Sequence, residues 1–172
     1  MIGSRSPALL GFAAFSGTGK TELLTQLIPI LAEQGLRIGM VKHAHHAFDV
    51  DQPGKDSYRL RKAGAREMLI SSGRRWALMH ELAEDEEEMT LAQLLPKLDA
   101  ASLDLILVEG FKHESFPKIE LSRPDLGHPY LYPDDPNILA LATDAPPPPG
   151  LTLPHLDLND PPAIAAFIRT LL

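Results

Sequence analysis

The run Ala14-Phe15-Ser16-Gly17-Thr18-Gly19-Lys20-Thr21 combines two glycines, a lysine and hydroxyl side chains in a pattern suited to gripping a polyphosphate. Gly17 and Gly19 permit positive φ and bring backbone N–H groups against phosphate oxygens without a Cβ in the way. Lys20 can extend its ammonium to the β- and γ-phosphates of a nucleotide, and the Thr21 hydroxyl can ligate Mg²⁺. Ser16 and Thr18 belong to the same cradle. Ala14 stands where the pattern G-x-x-x-x-G-K-[ST] has its first glycine, so the cradle is built from Ser16 onward.

A second chemical stretch is Leu103-Asp104-Leu105-Ile106-Leu107-Val108-Glu109-Gly110. An apolar strand ending in an acid matches a Walker B arrangement, which aims a carboxylate at Mg²⁺ and its waters. Glu109 is the expected metal-site acid, and Gly110 would let the backbone approach the γ-phosphate. Between these stretches lies Lys42-His43-Ala44-His45-His46-Ala47-Phe48-Asp49-Val50-Asp51. Three readings fit it: a switch-like loop in which Asp49 and Asp51 address Mg²⁺ directly or through water, a transition-metal site built on imidazole and carboxylate, or a polar loop. The catalytic candidates are Lys20, Asp49 and Glu109, and the metal candidates are Thr21, Asp49, Asp51 and Glu109.

These residues need elements to position them. Ala8 to Ala13 is short and apolar, as a buried parallel strand should be, and Leu23, Leu24, Leu27, Ile28 and Leu31 recur at helical spacing after the loop. Pro29 predicts a kink or early end to that helix, and Gly35 a C-cap. Leu36 to Lys42 reads as the next strand, giving a right-handed βαβ unit whose ligand lies outside the strands' carboxyl ends. A helix is expected over Lys55 to Ala63, capped by Asp56 or Ser57 and ended by Gly64. Met68 to Ser72 and Trp76 to Met79 resemble a β-hairpin at a sheet edge, with apolar residues that need cover.

The acidic run from Glu84 to Glu88 suits the start of a helix carrying Met89, Leu91, Leu94, Leu95 and Leu98, with metal binding by the run as the other reading. Lys118 to Leu121 and Ile138 to Ala142 read as strands, Pro124 to Pro136 as irregular surface chain, and Pro161-Pro162 as the opening of a last helix. The whole is α/β: a P-loop NTPase-like, mostly parallel sheet flanked by helices, with a hairpin extension, expected as a single domain over residues 1–172.

Composition narrows the function classes. The chain has 172 residues, 44% hydrophobic, with no cysteine, so thiolate metal sites and disulfides are excluded and a cytoplasmic protein is expected. A net charge of −7 argues against nucleic acid as the main ligand, because phosphate backbones need a basic surface. The apolar segment before the loop is too short for a membrane span, and reading it as a signal peptide would remove the loop.

The sequence resembles the molybdopterin-guanine dinucleotide biosynthesis adapter family, the B proteins of that pathway. The likeness rests on Phe15 to Thr21, on Val41-Lys42-His43 through Asp49-Val50-Asp51 to Pro53-Gly54-Lys55-Asp56-Ser57-Tyr58, on Arg75-Trp76-Ala77-Leu78-Met79, and on Leu103 to His113. It implies a homodimeric GTP-binding protein with Mg²⁺ and slow GTP hydrolysis, working beside the molybdenum cofactor guanylyltransferase and other cofactor-biosynthesis proteins. P-loop GTPases read guanine through an aspartate past a late strand, and Thr143-Asp144 is the acid so placed here, without the Asn-Lys that usually precedes it. A small-molecule kinase or synthetase and a metallochaperone GTPase are the alternatives on the same fold.

Overall fold

A computed structural model describes residues 6–44, 48–83 and 85–172. Among these, the chain up to His43 and from Leu91 onward forms one compact unit, and Ala44–Thr90 forms another.

The larger unit is a sheet of six strands with helices. In chain order it contains β1 (Ala8–Ala13), α1 (Lys20–Glu33), β2 (Ile38–Lys42), the single turn α3 (Leu91–Leu94), β5 (Leu105–Glu109), β6 (Lys118–Ser122), β7 (Ile138–Thr143), β8 (His155–Asp157) and α4 (Pro161–Arg169). The strand order is β2-β5-β1-β6-β7-β8, and every pairing is parallel. All six carboxyl ends therefore point the same way. β8 carries too short an apolar run to stand out in the sequence.

Alternation along β5 shows how the sheet is covered. Leu105 and Leu107 join Leu10, Phe12 and Ile119 against Leu23, Leu24, Leu27 and Leu31 of α1 and Ile164 and Ile168 of α4. Ile106 and Val108 point to the other face, where Leu91 and Phe116 meet them. Each such aliphatic side chain contributes about 1.5–3 kcal/mol on full burial.

That packing explains why α1 runs unbroken through Pro29, contrary to the early end its proline predicts. Thr25, whose carbonyl loses its helical donor at Pro29, is exposed and so is Pro29 itself. Water can satisfy the freed carbonyl while the leucine stripe holds the opposite face. Gly35, at φ 88°, then closes the helix: its N–H donates to Ala32 and that of Leu36 to Leu31, the pairing expected of a left-handed C-cap.

Register between β2 and β5 is fixed from their start. Arg37 donates from its backbone N–H and from Nε and Nη2 to the Asp104 carboxylate, at 2.8–2.9 Å. The Arg37 guanidinium holds the Asp104 carboxyl well below the usual carboxylate range. This alignment sets Lys42 opposite Glu109 at the far end of the two strands.

Two charged residues of β6 are buried, Lys118 and Glu120. The Glu120 carboxylate accepts the Leu131 and Tyr132 N–H groups, each at 2.8 Å, and Lys118 Nζ donates to Asp135 at 2.9 Å and lies over the Phe116 ring. The proline-rich segment 124–136, expected as irregular surface chain, is irregular apart from a 3₁₀ turn at Pro124–Leu126 but is pinned to the sheet by these groups.

The smaller unit holds α2 (Asp56–Lys62) and the antiparallel pair β3 (Glu67–Ser71) and β4 (Trp76–His80). The hairpin is a sheet of its own: among the described residues its two strands pair only with each other. α2 starts one residue later than expected, with Lys55 as N-cap and no side-chain cap, because a lysine ammonium has no acceptor to offer; Ser57, inside the first turn, donates from Oγ to Asp51 Oδ1 at 2.9 Å. The acidic run also departs from expectation. Glu86 accepts the Ala83 N–H and pairs with Arg66, while the N–H of Leu91 at the start of α3 is taken by Glu114. Glu84 lies outside the described residues.

Candidate nucleotide site

The carboxyl ends of the strands gather the chemistry of the larger unit. After β1 the chain turns through Gly17 at φ 82° and Gly19 at φ 91°, and α1 begins at Lys20. A Cβ at Gly17 would meet no atom within 4 Å, so its glycine is required by conformation alone. The loop is held from inside by Thr18, which is buried and donates from Oγ1 to the Phe15 carbonyl at 2.9 Å. Ser16, Gly17 and Thr21 are exposed, the arrangement a cradle for an anion needs.

Lys20 is the charged centre of this cradle. Desolvation pushes its ammonium below the ordinary lysine value, Glu109 opposes that shift, and the nearby charges of Lys42 and Lys112 add to it. A half-buried cation flanked by two others is poorly compensated by protein groups alone. A polyphosphate would supply the missing negative charge, so the donor set fits a nucleoside triphosphate.

Glu109 ends β5 with its side chain largely covered and its Oε2 2.9 Å from Lys42 Nζ. The chain then turns through two residues of positive φ, Gly110 at 93° and Phe111 at 51°. A Cβ on Gly110 would sit 2.5 Å from the His43 Cβ, so glycine is dictated here by both φ and crowding. His43 donates its backbone N–H to the Glu109 carbonyl at 2.8 Å and packs its ring on Phe111 at 5.1 Å between centroids. The acid is thus held in place from the carboxyl end of β2, by Lys42 and His43.

Asp49 and Asp51 lie in the smaller unit. Asp49 Oδ1 accepts from Arg61 and from the Asp51 N–H, and the Arg61 guanidinium holds the Asp49 carboxyl below its usual range. Arg61 also pairs with Glu81 and is itself buried. Asp51 Oδ1 accepts from Gln52 and Ser57, whereas its buried Oδ2 has no hydrogen-bond partner among the described residues. A bare carboxylate oxygen of that kind suits a cation. Among the described residues no three His, Asp or Glu side chains gather as a transition-metal cluster, and His45 and His46 lie outside those residues.

Sequence reasoning missed Arg123, Asn159 and Lys112. Arg123 follows β6 and donates from Nε to the Thr18 carbonyl at 2.9 Å, pairs through Nη1 with Asp144 Oδ2, and reaches Asn159 Oδ1 at 3.4 Å. Asp144, expected as a base reader, is therefore joined to the phosphate loop through one side chain. The rule that ligands sit past strand ends would have singled out Arg123 had Lys118 to Leu121 been followed one turn further. Lys112 lies 5.9 Å from the Phe15 ring, against whose face His128 stacks at 4.5 Å.

Residues 9–144 match the family described as molybdopterin guanine dinucleotide synthesis protein B. The chain belongs to that family. It is 51% identical to the molybdopterin-guanine dinucleotide biosynthesis adapter protein of Escherichia coli K12, covering 98% of this chain and 95% of that one. A Haemophilus influenzae protein of the same description is 42% identical over 95% of this chain and 89% of its own length. A crystal structure of molybdopterin-guanine biosynthesis protein B superposes with a TM-score of 0.72 at 26% identity, covering 95% of this chain and 99% of that one. The crystal structure of MobB from Bacillus subtilis gives 0.73 at 24% identity, covering 96% and 98%. These neighbours carry the expected mostly parallel fold.

Proposed function

We propose that this chain is a GTP-binding adapter of molybdenum cofactor biosynthesis, acting where a guanine nucleotide is attached to molybdopterin. Its family membership supplies the pathway, and the half-buried Lys20 in an open glycine loop opposite Glu109 supplies the nucleotide. Backbone N–H groups from Ser16 to Thr21 would hold the phosphates, with Lys20 as the point charge on the β- and γ-groups. Mg²⁺, when bound, neutralises the charge developing on the phosphates. Thr21 and Glu109 are its proposed holders, and Gly110 keeps the turn after Glu109 tight enough to leave the phosphates room.

Asp144 is the proposed reader of guanine, its carboxylate accepting from the ring N1–H and the exocyclic amino group. Turnover of bound GTP would be slow, and the working unit a cytoplasmic homodimer partnered with the molybdenum cofactor guanylyltransferase.

The deciding experiment is nucleotide binding by calorimetry with GTP and ATP, each with and without Mg²⁺. Tighter binding of GTP, enhanced by Mg²⁺, is expected. Equal affinity, or a preference for ATP, would move the chain to a kinase or synthetase role on the same fold.

A further inference from the structure

Arg123 contacts three things that the proposed function uses separately. Its Nε holds the carbonyl of Thr18 inside the phosphate loop, its Nη1 holds Asp144 past β7, and its Nη2 reaches Asn159 past β8. The guanidinium also lies beside Gly19, where an added Cβ would sit 3.7 Å from Nη2. Thr18 is buried and cannot drift to another acceptor geometry without disturbing its own bond to Phe15. A planar guanidinium with donors in fixed directions can link three acceptors that no lysine could span at once.

We infer that Arg123 is a positioning residue that couples the two ends of the nucleotide site, holding the phosphate loop in its gripping conformation only while Asp144 holds Arg123. This rests on the nucleotide reading above and deepens it. Asp144 then acts on phosphate binding as well as on the base: without its carboxylate, Arg123 loses its counter-charge and its aim, and the grip on Thr18 loosens. A carboxylate serving only the base would have no such effect.

Inorganic tripolyphosphate separates the two, because it has phosphates and no base. Its affinity is measured by calorimetry for the wild type and for Lys20→Ala, Asp144→Ala, Arg123→Ala, Arg123→Lys and the Asp144→Ala/Arg123→Ala pair, with thermal midpoints recorded for each. Lys20→Ala should abolish binding. Asp144→Ala and Arg123→Ala should each weaken tripolyphosphate roughly tenfold, the double variant no further than Arg123→Ala alone, since coupled residues are not additive. Arg123→Lys, which keeps the charge and loses the fork, should not restore affinity. It also serves if the alanine variant fails to fold.

Wild-type tripolyphosphate affinity in Asp144→Ala, full restoration by Arg123→Lys, or losses that multiply in the double variant would overturn the coupling and leave the nucleotide reading intact. A wild type that binds neither tripolyphosphate nor GTP would overturn both.

Discussion

At the scale of single residues the site trades stability for an anion. Lys20 has its ammonium pushed down by desolvation and by Lys42 and Lys112. A lysine whose folded value lies below its unfolded one weakens the fold while it is charged, and the penalty fades as pH rises through the folded value. Lys20→Ala should therefore abolish GTP binding while leaving the thermal midpoint of the nucleotide-free protein at neutral pH unchanged or higher. A lowered midpoint with retained GTP binding would assign the lysine to packing. For Glu109→Gln, GTP should still bind but with little gain from Mg²⁺, read by repeating the titration across Mg²⁺ concentrations, because the amide replaces a charged oxygen with a neutral one. The loop residues and Glu109 were legible in the sequence because their chemistry demands particular types at fixed spacing. Arg123 was not, since a lone arginine becomes informative only when folding sets it against Thr18 and Asp144.

At the scale of elements, legibility followed local period. The apolar runs of β1, β5 and β7 and the leucine stripe of α1 announce themselves, and Gly35 marks its C-cap. Pro29 misled because tertiary packing outweighs one lost hydrogen bond on an exposed face. The tether of the segment 124–136 was illegible because Glu120 and Lys118 look like ordinary strand-face charges until burial is known. Glu120→Ala should strip acceptors from the Leu131 and Tyr132 N–H groups at a cost of about 1–3 kcal/mol for each one left bare, measured by urea unfolding. Burial also raises the Glu120 carboxyl above its usual value. The folded state then holds more protons than the unfolded one between about pH 4.5 and that raised value, so this residue's contribution to stability falls as pH rises through the window. Glu120→Gln should flatten that part of the pH profile. An unchanged profile would place the titration elsewhere.

At the scale of the whole molecule the hairpin has no ligand chemistry and asks for a different explanation. Its register pairs Leu69 with Leu78 and Ser71 with Trp76, and alternation puts Leu69, Trp76 and Leu78 on one face while Met68 and Met79 share the other. The methionines are half-covered, but Leu69 is 62% exposed and Trp76 64%. An apolar face of this kind on a two-stranded sheet is costly in water, because an isolated hairpin is marginal and its unpaired outer edges invite further pairing. Burying three such side chains is worth on the order of 1.5–3 kcal/mol each, and a second copy in twofold symmetry would cover both hairpins at once. The predicted homodimer therefore depends on this face. Light scattering should give twice the 18.8 kDa chain mass for the wild type and a single chain mass for a Leu69→Glu/Trp76→Glu variant. GTP affinity per chain should survive in that variant, since Lys20, Glu109, Arg123 and Asp144 all belong to the other unit. A variant that stays dimeric would send the interface to another surface, and one that loses GTP as it dissociates would show that the partner chain completes the nucleotide site.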